Sequence, residues 1–458
     1  MTSRRNFLGS LGAFSLAAAQ TPRRNVLFIV ADDLNPALHC YGHPQVQSPH
    51  IDQLARRGVR FERAYCQYPL CQPSRTSFLS GRRPETTKVW TLDTPTRKHL
   101  GDAVFLPEHF RRNGYFTAMS GKVFHTGEHA EDPRSWDEEH REFGKTPKPA
   151  EVLTQGTAEG PRGHSFVWDI LKTADEQTPD GIAARRAVSL MEKAALAQKP
   201  FFIGAGFRRP HSPYAAPKKY YDLYPLESLT LPQTPVSHFS RILAAAVNHD
   251  PPPQPMQDRE TREFLRAYYA STSFVDAQVG VLLAGLTRLG LWESTTVVFF
   301  GDHGGLWHKN SLFEQGTRVP LIIYSPGRKG LGRASPRLVE LVDLYPTLVD
   351  LCGLPPAQGL EGVSLAPLLD DPARPWKTAA FSMQGRGRER AEAASDILYT
   401  GKTIRTERWR YTEWDEGRQG VELYDHRADP GELNNLSAQP ALQPTIAALK
   451  AQLQTLRK

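Results

Sequence analysis

The chain has 458 residues, of which 40% are hydrophobic, enough to bury a large core and to exclude wholesale disorder. At roughly 100–200 residues per domain, that length accommodates two or three domains, or one large α/β unit with an appendage. Four cysteines are too few for a disulfide scaffold, and the +7 net charge comes from scattered basic residues with no run suited to gripping nucleic acid.

At the N-terminus, Thr2-Ser3-Arg4-Arg5-Asn6-Phe7-Leu8 precedes a small, apolar, uncharged stretch from Gly9 to Ala19 that ends on an Ala-x-Ala pattern. It resembles a twin-arginine export signal, residues 1–19, cleaved after Ala19. The mature protein is therefore expected in the periplasm or outside the cell. Past this segment nothing approaches the ~20 apolar residues of a membrane helix, so no integral membrane segment is expected in the mature chain.

Asn25-Val-Leu-Phe-Ile-Val30 is a continuous apolar run, the pattern of a strand buried on both faces of a parallel sheet. Thr295 to Phe300 and Pro320 to Tyr324 repeat it. Helical patterns cover Pro49 to Arg57, Gly181 to Leu196, and Glu260 to Leu289. The polar Glu128 to Gly163 region and the proline-rich Asp250 to Pro255 stretch read as surface excursions, and Asp370 to Pro375 as a linker. Beyond it, Thr403 to Trp414 predicts a strand and Pro444 to Leu456 a closing helix with proline in its first turn. The expected architecture is α/β: a large, mostly parallel sheet flanked by helices over residues 22–370, with a smaller α+β subdomain over 371–458.

Two acidic positions follow directly on buried strands. Val30 leads into Ala31-Asp32-Asp33, and Phe300 into Gly301-Asp302-His303. In open α/β sheets, ligands bind beyond the carboxyl ends of the strands. Three carboxylates converging there repel one another unless a cation neutralises them, which points to a hard divalent ion. Any one of these aspartates alone would read as a helix cap or turn former.

Cys71-Gln-Pro-Ser-Arg75-Thr-Ser-Phe-Leu-Ser-Gly81 places Pro73 in a first helical turn and Gly81 at a helix end. Cys71 therefore sits where free N–H groups favour an anion, a setting for a low-pKa thiolate. A tyrosine-phosphatase-like loop is excluded by its spacing, and pairing with Cys66 is the structural alternative.

Cys-x-Pro-Ser-Arg followed by Leu-Ser-Gly-Arg-Arg-Pro resembles the type I sulfatase signature, in which the cysteine is oxidised to formylglycine. Other landmarks fall in the same order: Asn25 to Asp33, Ser48 to Ala55, Gly121-Lys122-Val-Phe-His125, Gly206-Phe-Arg-Arg-Pro-His211 and Asp302-His303-Gly304. Gly-Lys-Val-Phe-His, Arg-Pro-His-Ser-Pro-Tyr and the Ile404 to Trp414 segment resemble the iduronate-2-sulfatase branch. The resemblance implies an alkaline-phosphatase-like fold. It further implies that Asp32, Asp33, Asp302, His303 and the modified Cys71 hold calcium, with magnesium the second choice. Arg75 would orient the aldehyde hydrate, and Lys122, His125, His211 and Lys309 would surround the sulfate. One hydroxyl of the hydrate would attack sulfur and the other later expel sulfate. Asp302 is the implied base for the first hydroxyl and His125 for the second, while His211 and Lys309 protonate the leaving alcohol. His39, His43, His50 and His99 receive no role.

Where relatives carry a longer turn after Asp-His-Gly, this sequence reads Asp302-His-Gly-Gly-Leu-Trp-His-Lys309, and Thr400-Gly-Lys-Thr403 is also unusual. Both departures bear on sugar recognition rather than on the reaction. The expected function is sulfate removal from a sulfated saccharide, with a 2-O-sulfated uronate as candidate and a formylglycine-generating enzyme as maturation partner. The alternatives are a phosphonate or phosphate monoesterase using the same group, or a sulfated-glycan binder that has lost catalysis.

Overall fold

The computed structural model describes residues 23–127, 130, 132–141, 151–159, 165–233, 238, 241–247, 256–305, 309–387 and 396–455. The expected signal sequence, the Asp250 to Pro255 stretch and residues 306–308 lie outside these.

Strands in chain order are β1 (Asn25–Asp32), β2 (Val59–Tyr65), β3 (Phe116–Gly121), β4 (Glu138–His140), β5 (Val152–Glu159), β6 (Ser165–Leu171), β7 (Phe201–Pro210) and β8 (Tyr214–Pro217). They continue as β9 (Thr295–Gly301), β10 (Arg318–Tyr324), β11 (Ala334–Glu340), β12 (Ala379–Gly387), β13 (Ile397–Thr406), β14 (Trp409–Trp414) and β15 (Val421–Asp425). Eight of them form one sheet in the order β11-β2-β10-β9-β1-β7-β3-β4.

Along β1 the side chains alternate between two cores, which is why its whole run is apolar. Val26, Phe28 and Val30 pack with Phe78, Phe110, Phe300 and Leu348 on one face. Leu27, Ile29 and Ala31 pack on the other with the helices Pro49–Arg57, Pro179–Leu196 and Asp258–Arg288. These helices match the predicted ones to within two residues.

The register levels the carboxyl ends of the central strands. Ala31 pairs with Gly301 of β9, Val30 with Gly206 of β7, and Gly206 with Gly121 of β3, all in parallel. One edge of the sheet therefore carries Asp32 at the end of β1, Arg208 near the end of β7, and Asp302 and Lys122 just after β9 and β3. Glycine is required at the β3–β7 contact: a Cβ on Gly121 would lie 2.0 Å from the carbonyl oxygen of Gly206.

Three expectations need correction. The third apolar run, β10, is antiparallel to both β9 and β2, because burial on both faces dictates apolar residues in either direction. The polar region after Glu128 is not all excursion: β4 extends the main sheet, and β5 pairs with β6 in a small sheet completed by β8. The single predicted strand from Thr403 is a hairpin, with Thr406 Oγ1 accepting from the N–H of Trp409 at 3.0 Å across the turn.

β12 to β15 form an antiparallel sheet, covered by the helix Gln443–Gln454 through Ile446, Leu449 and Leu453. The segment expected as a linker is pinned, with Arg328 3.0 Å from Asp370 and Ser335 donating to the carbonyl of Pro372.

Candidate active site

Cys71 is the first residue of the helix Cys71–Ser80, which is buried throughout and closes on Gly81 with φ 66°. One turn on, Arg75 projects from the same face. Its Nε donates to Asp302 at 2.9 Å and its Nη2 to Asp32 at 3.1 Å, while Nη1 reaches the carbonyls of Lys122 and Val123. A single guanidinium thus ties the ends of β1, β9 and β3 together.

Asp33 has φ 62°, a left-handed conformation that turns the chain sharply after β1. Its N–H donates to Asp302 Oδ1 at 3.0 Å, and its carbonyl accepts from the Tyr268 hydroxyl at 2.9 Å. Asp32, Asp33, Cys71 and His303 each offer a ligand atom, all within 4.8 Å of one another and all buried. Asp302 borders this group: its Oδ1 accepts from the N–H groups of Asp33 and His303, and its Oδ2 accepts from Arg75 and lies 3.8 Å from His303 Nε2.

Positive charge surrounds the cysteine. Lys309 Nζ lies 3.4 Å from Cys71 Sγ, and His303 Nε2 lies 3.3 Å from it. Lys122 Nζ is paired with Asp32. Burial and Asp32 oppose ionisation of the Cys71 thiol, but Lys122, Lys309 and His303 outweigh them and hold it well below its ordinary value. Burial likewise works against the Asp32 carboxylate, and Lys122, His211, Arg75 and Lys309 bring it well below the usual range. Asp302 moves the other way: burial, aided by Asp32 and Cys71, pushes it up to about 7. His303 rises to about 9, because Asp302, Cys71 and Asp33 overcome the burial that disfavours its charge.

His125 is held low by burial, which a hydrogen bond to Cys71 only partly offsets, and its Nδ1 has no partner among the described residues. His211 Nε2 lies 3.9 Å from Asp33 Oδ2, while its Nδ1 pairs with the carbonyl of Ser212. The side chains of His211 and Lys309 remain 25% and 26% exposed, whereas Arg75, Asp302 and His303 are at 1% or less. The two exposed groups therefore mark the mouth of the site.

Sequence reasoning left several supporting residues without a role. Asp180 accepts the N–H groups of Arg208 and Arg209, both at 2.9 Å, and Arg209 donates to the carbonyls of Ala215 and His211. Together they fix the segment bearing His211. Ser74, inside the quoted signature, donates to the carbonyl of Asp302. Asp180 resembles any first-turn acid, so no local signal distinguishes it. Cys66 is a free thiol, as are Cys40, Cys71 and Cys352, so the Cys66–Cys71 pairing is absent.

The donor set fits a hard divalent cation. Ligand atoms within 4.8 Å of one another can share an ion at the ~2.3–2.6 Å typical of calcium, and both aspartates supply oxygen. Sulfur is the poorer match, and an oxygen at position 71 would improve it. Chemically, the arrangement suits a tetrahedral oxyanion held between a cation, two ammonium groups and imidazoles.

A family model described as sulfatase matches residues 24–354, and one described as N-sulphoglucosamine sulphohydrolase, C-terminal, matches residues 301–458. The chain is 35% identical to iduronate 2-sulfatase of Homo sapiens, covering 88% of this chain and 87% of the relative. It is 31% identical to a sulfatase of Formosa agariphila, over 95% and 87%. Among solved structures, the phosphonate monoester hydrolase of Agrobacterium radiobacter superposes with a TM-score of 0.78 at 22% identity, covering 95% of each chain, a likeness of fold. The fold is alkaline-phosphatase-like.

Proposed function

The chain belongs to the sulfatase family, and we propose that it removes sulfate from a sulfated carbohydrate, with a 2-O-sulfated uronate as first candidate, using formylglycine at position 71 and calcium. One observation carries this reading: Cys71 stands between two buried aspartates, His303 and the ammonium of Lys309 at a helix N-terminus. That is the setting for a nucleophile attacking an anionic ester. The similarity to human iduronate 2-sulfatase supports the choice of uronate.

Asp32, Asp33, His303 and residue 71 would hold the cation, with Asp302 alongside. When bound, the cation draws charge from the sulfate oxygens, and the aldehyde hydrate supplies a nucleophilic hydroxyl and a second one that expels sulfate. Lys122 and Lys309 add ammonium charge where the ester's negative charge accumulates. Arg75 fixes Asp32 and Asp302 relative to residue 71. Asp302, made more basic by burial, takes the proton of the attacking hydroxyl. His125, kept neutral by burial, accepts the proton in the sulfate-expelling step. At the mouth, His211 delivers a proton from Nε2 to the departing alcohol, Nδ1 being engaged by Ser212, and Lys309 assists.

Export by the twin-arginine route, maturation by a formylglycine-generating enzyme, and a division near residues 370 and 371 complete the reading. No helix among the described residues is long and apolar enough to cross a membrane. The test is sulfate release from a panel of defined sulfated mono- and disaccharides by enzyme matured in a competent host. Uronate 2-sulfates are expected to be turned over fastest. Faster turnover of phenylphosphonate would make the protein a phosphonate monoesterase instead. Binding of sulfated glycans without turnover, in protein carrying the aldehyde, would make it a binder.

A further inference from the structure

Lys309 begins a segment that the C-terminal sheet holds by hydrogen bonds at Asn310, Leu312 and Glu314. The contact nearest to the reaction is at Asn310, whose φ of 62° is left-handed. Its N–H donates to the carbonyl of Pro69 at 3.0 Å, two residues ahead of Cys71. Its carbonyl accepts from Gln384 Nε2 at 2.8 Å and from Arg386 Nη1 at 3.2 Å. The Gln384 amide also donates to Asn310 Oδ1. Both donors lie on β12, 74 and 76 residues further along the chain.

Neither donor has room to wander. Gln384 is fully buried, and its Oε1 has no partner among the described residues. Arg386 donates through Nε and Nη2 to the carbonyls of Ala245 and Ala246, both at 2.8 Å, and its guanidinium lies 4.7 Å from the ring centre of Trp414. The Gln384 amide nitrogen meets both the backbone carbonyl and the side-chain oxygen of Asn310, a two-point contact from a buried group that acts as a fixed stop for that residue.

We propose that Gln384 and Arg386 are positioning residues for the reaction. By fixing Asn310 they set the Lys309 ammonium against Asp33 and residue 71, so that the catalytic site is completed by the C-terminal sheet. The proposal rests on the reading of Lys309 as a sulfate-side group. Its physical basis is tolerance: displacement of a catalytic group by about 1 Å can cost on the order of a hundredfold.

The test uses the full-length, matured, metal-loaded enzyme. Gln384→Met keeps the side-chain volume and removes the donors. It is made alone and in a Lys309→Ala background, and kcat and KM for nitrophenyl sulfate are measured with the inhibition constant of inorganic sulfate. Gln384→Met alone is expected to lower kcat/KM and weaken sulfate inhibition by about ten- to a hundredfold. In the Lys309→Ala background the further change is expected to stay within about twofold, since the two residues act as one unit. Equal losses in both backgrounds, or values within about twofold of wild type for Gln384→Met alone, overturn the proposal. Wild-type behaviour of Lys309→Ala overturns the assignment of Lys309 itself and the proposal with it. Should Gln384→Met fail to fold, Asn310→Gly keeps the left-handed backbone and removes the acceptor amide. The same non-additivity with Lys309→Ala is expected there, and additive losses overturn the proposal.

Discussion

The ammonium of Lys309 lies 2.9 and 3.0 Å from the two carboxylate oxygens of Asp33. Lys122 makes the equivalent pair with Asp32. These lysines set positive charge against the acidic cluster from within the chain, so the fold is expected to survive removal of a metal. Exhaustive chelation, checked by elemental analysis, is therefore expected to abolish turnover while leaving circular dichroism unchanged, with calcium restoring activity better than magnesium. Asp32→Ala is expected to lose metal and at least ~10²-fold in kcat, the loss of charge stabilisation at the ester being worth several kcal/mol. Full activity in verified metal-free enzyme is the contrary result.

Residue 71 offers a test by mass. The tryptic peptide spanning Cys71 from active enzyme is expected to carry an aldehyde in place of the thiol. Cys71→Ser keeps one oxygen but cannot provide the two hydroxyls of a hydrate in an ordinary host, so a loss of ~10³-fold or more is expected. Active enzyme with an unmodified thiol would refute the nucleophile assignment.

Much of this site is legible in the sequence because its parts sit at strand ends and on one helix. Asp32 ends β1, Asp302 and Lys122 follow β9 and β3, and the parallel register brings them level. Cys71 and Arg75 are one helical turn apart, a local spacing. Strand direction is less legible, as with β10, because apolar content is the same for parallel and antiparallel neighbours. β5 was hidden by its polar residues, several of which are exposed in the hairpin with β6. The hold of Gln384 on Asn310 spans 74 residues and has no local signature. The same is true of Asp180, whose role depends on the end of β7, 28 residues away.

The contact between the two sheets gives a stability prediction. Glu314 Oε2 lies 2.6 Å from Nη2 of Arg410 and 3.1 Å from Nε of Arg405, both arginines being buried, and the Glu314 N–H donates to Glu432 at 2.7 Å. Burial opposes the Glu314 charge, but Arg405, Arg410 and His426 carry it far below its ordinary value of 4.5. A depressed carboxyl adds stability that is fully present above pH 4.5 and is lost as pH falls toward its folded-state value. Glu314→Gln, which leaves buried arginine charge under-compensated, is expected to cost about 3–5 kcal/mol at pH 7. Below pH 4.5 the gap to wild type should narrow by about 1.4 kcal/mol per pH unit. Urea unfolding at several pH values checks this, and a gap independent of pH would count against the ion pair.

The leaving-group assignment separates chemistry from recognition. His211 stands at the exposed mouth, with Nδ1 tied to the carbonyl of Ser212 and Nε2 facing the acidic cluster 3.9 Å from Asp33. A sugar alkoxide is a strong base and needs a proton as it departs, whereas nitrophenolate leaves with little help. His211→Ala is therefore expected to cost ~10²–10⁴-fold in kcat on a sugar sulfate, the range of general acid catalysis, and far less on nitrophenyl sulfate. His125→Ala acts on the sulfate-expelling step that both substrates share, so it should slow both alike. Measuring kcat for each variant on each substrate, with chemistry shown to be rate-limiting, distinguishes the two histidines. Equal losses for His211→Ala on both leaving groups would mean that the proton comes chiefly from Lys309 or from solvent, and that His211 serves the site by placing the substrate rather than by acid catalysis.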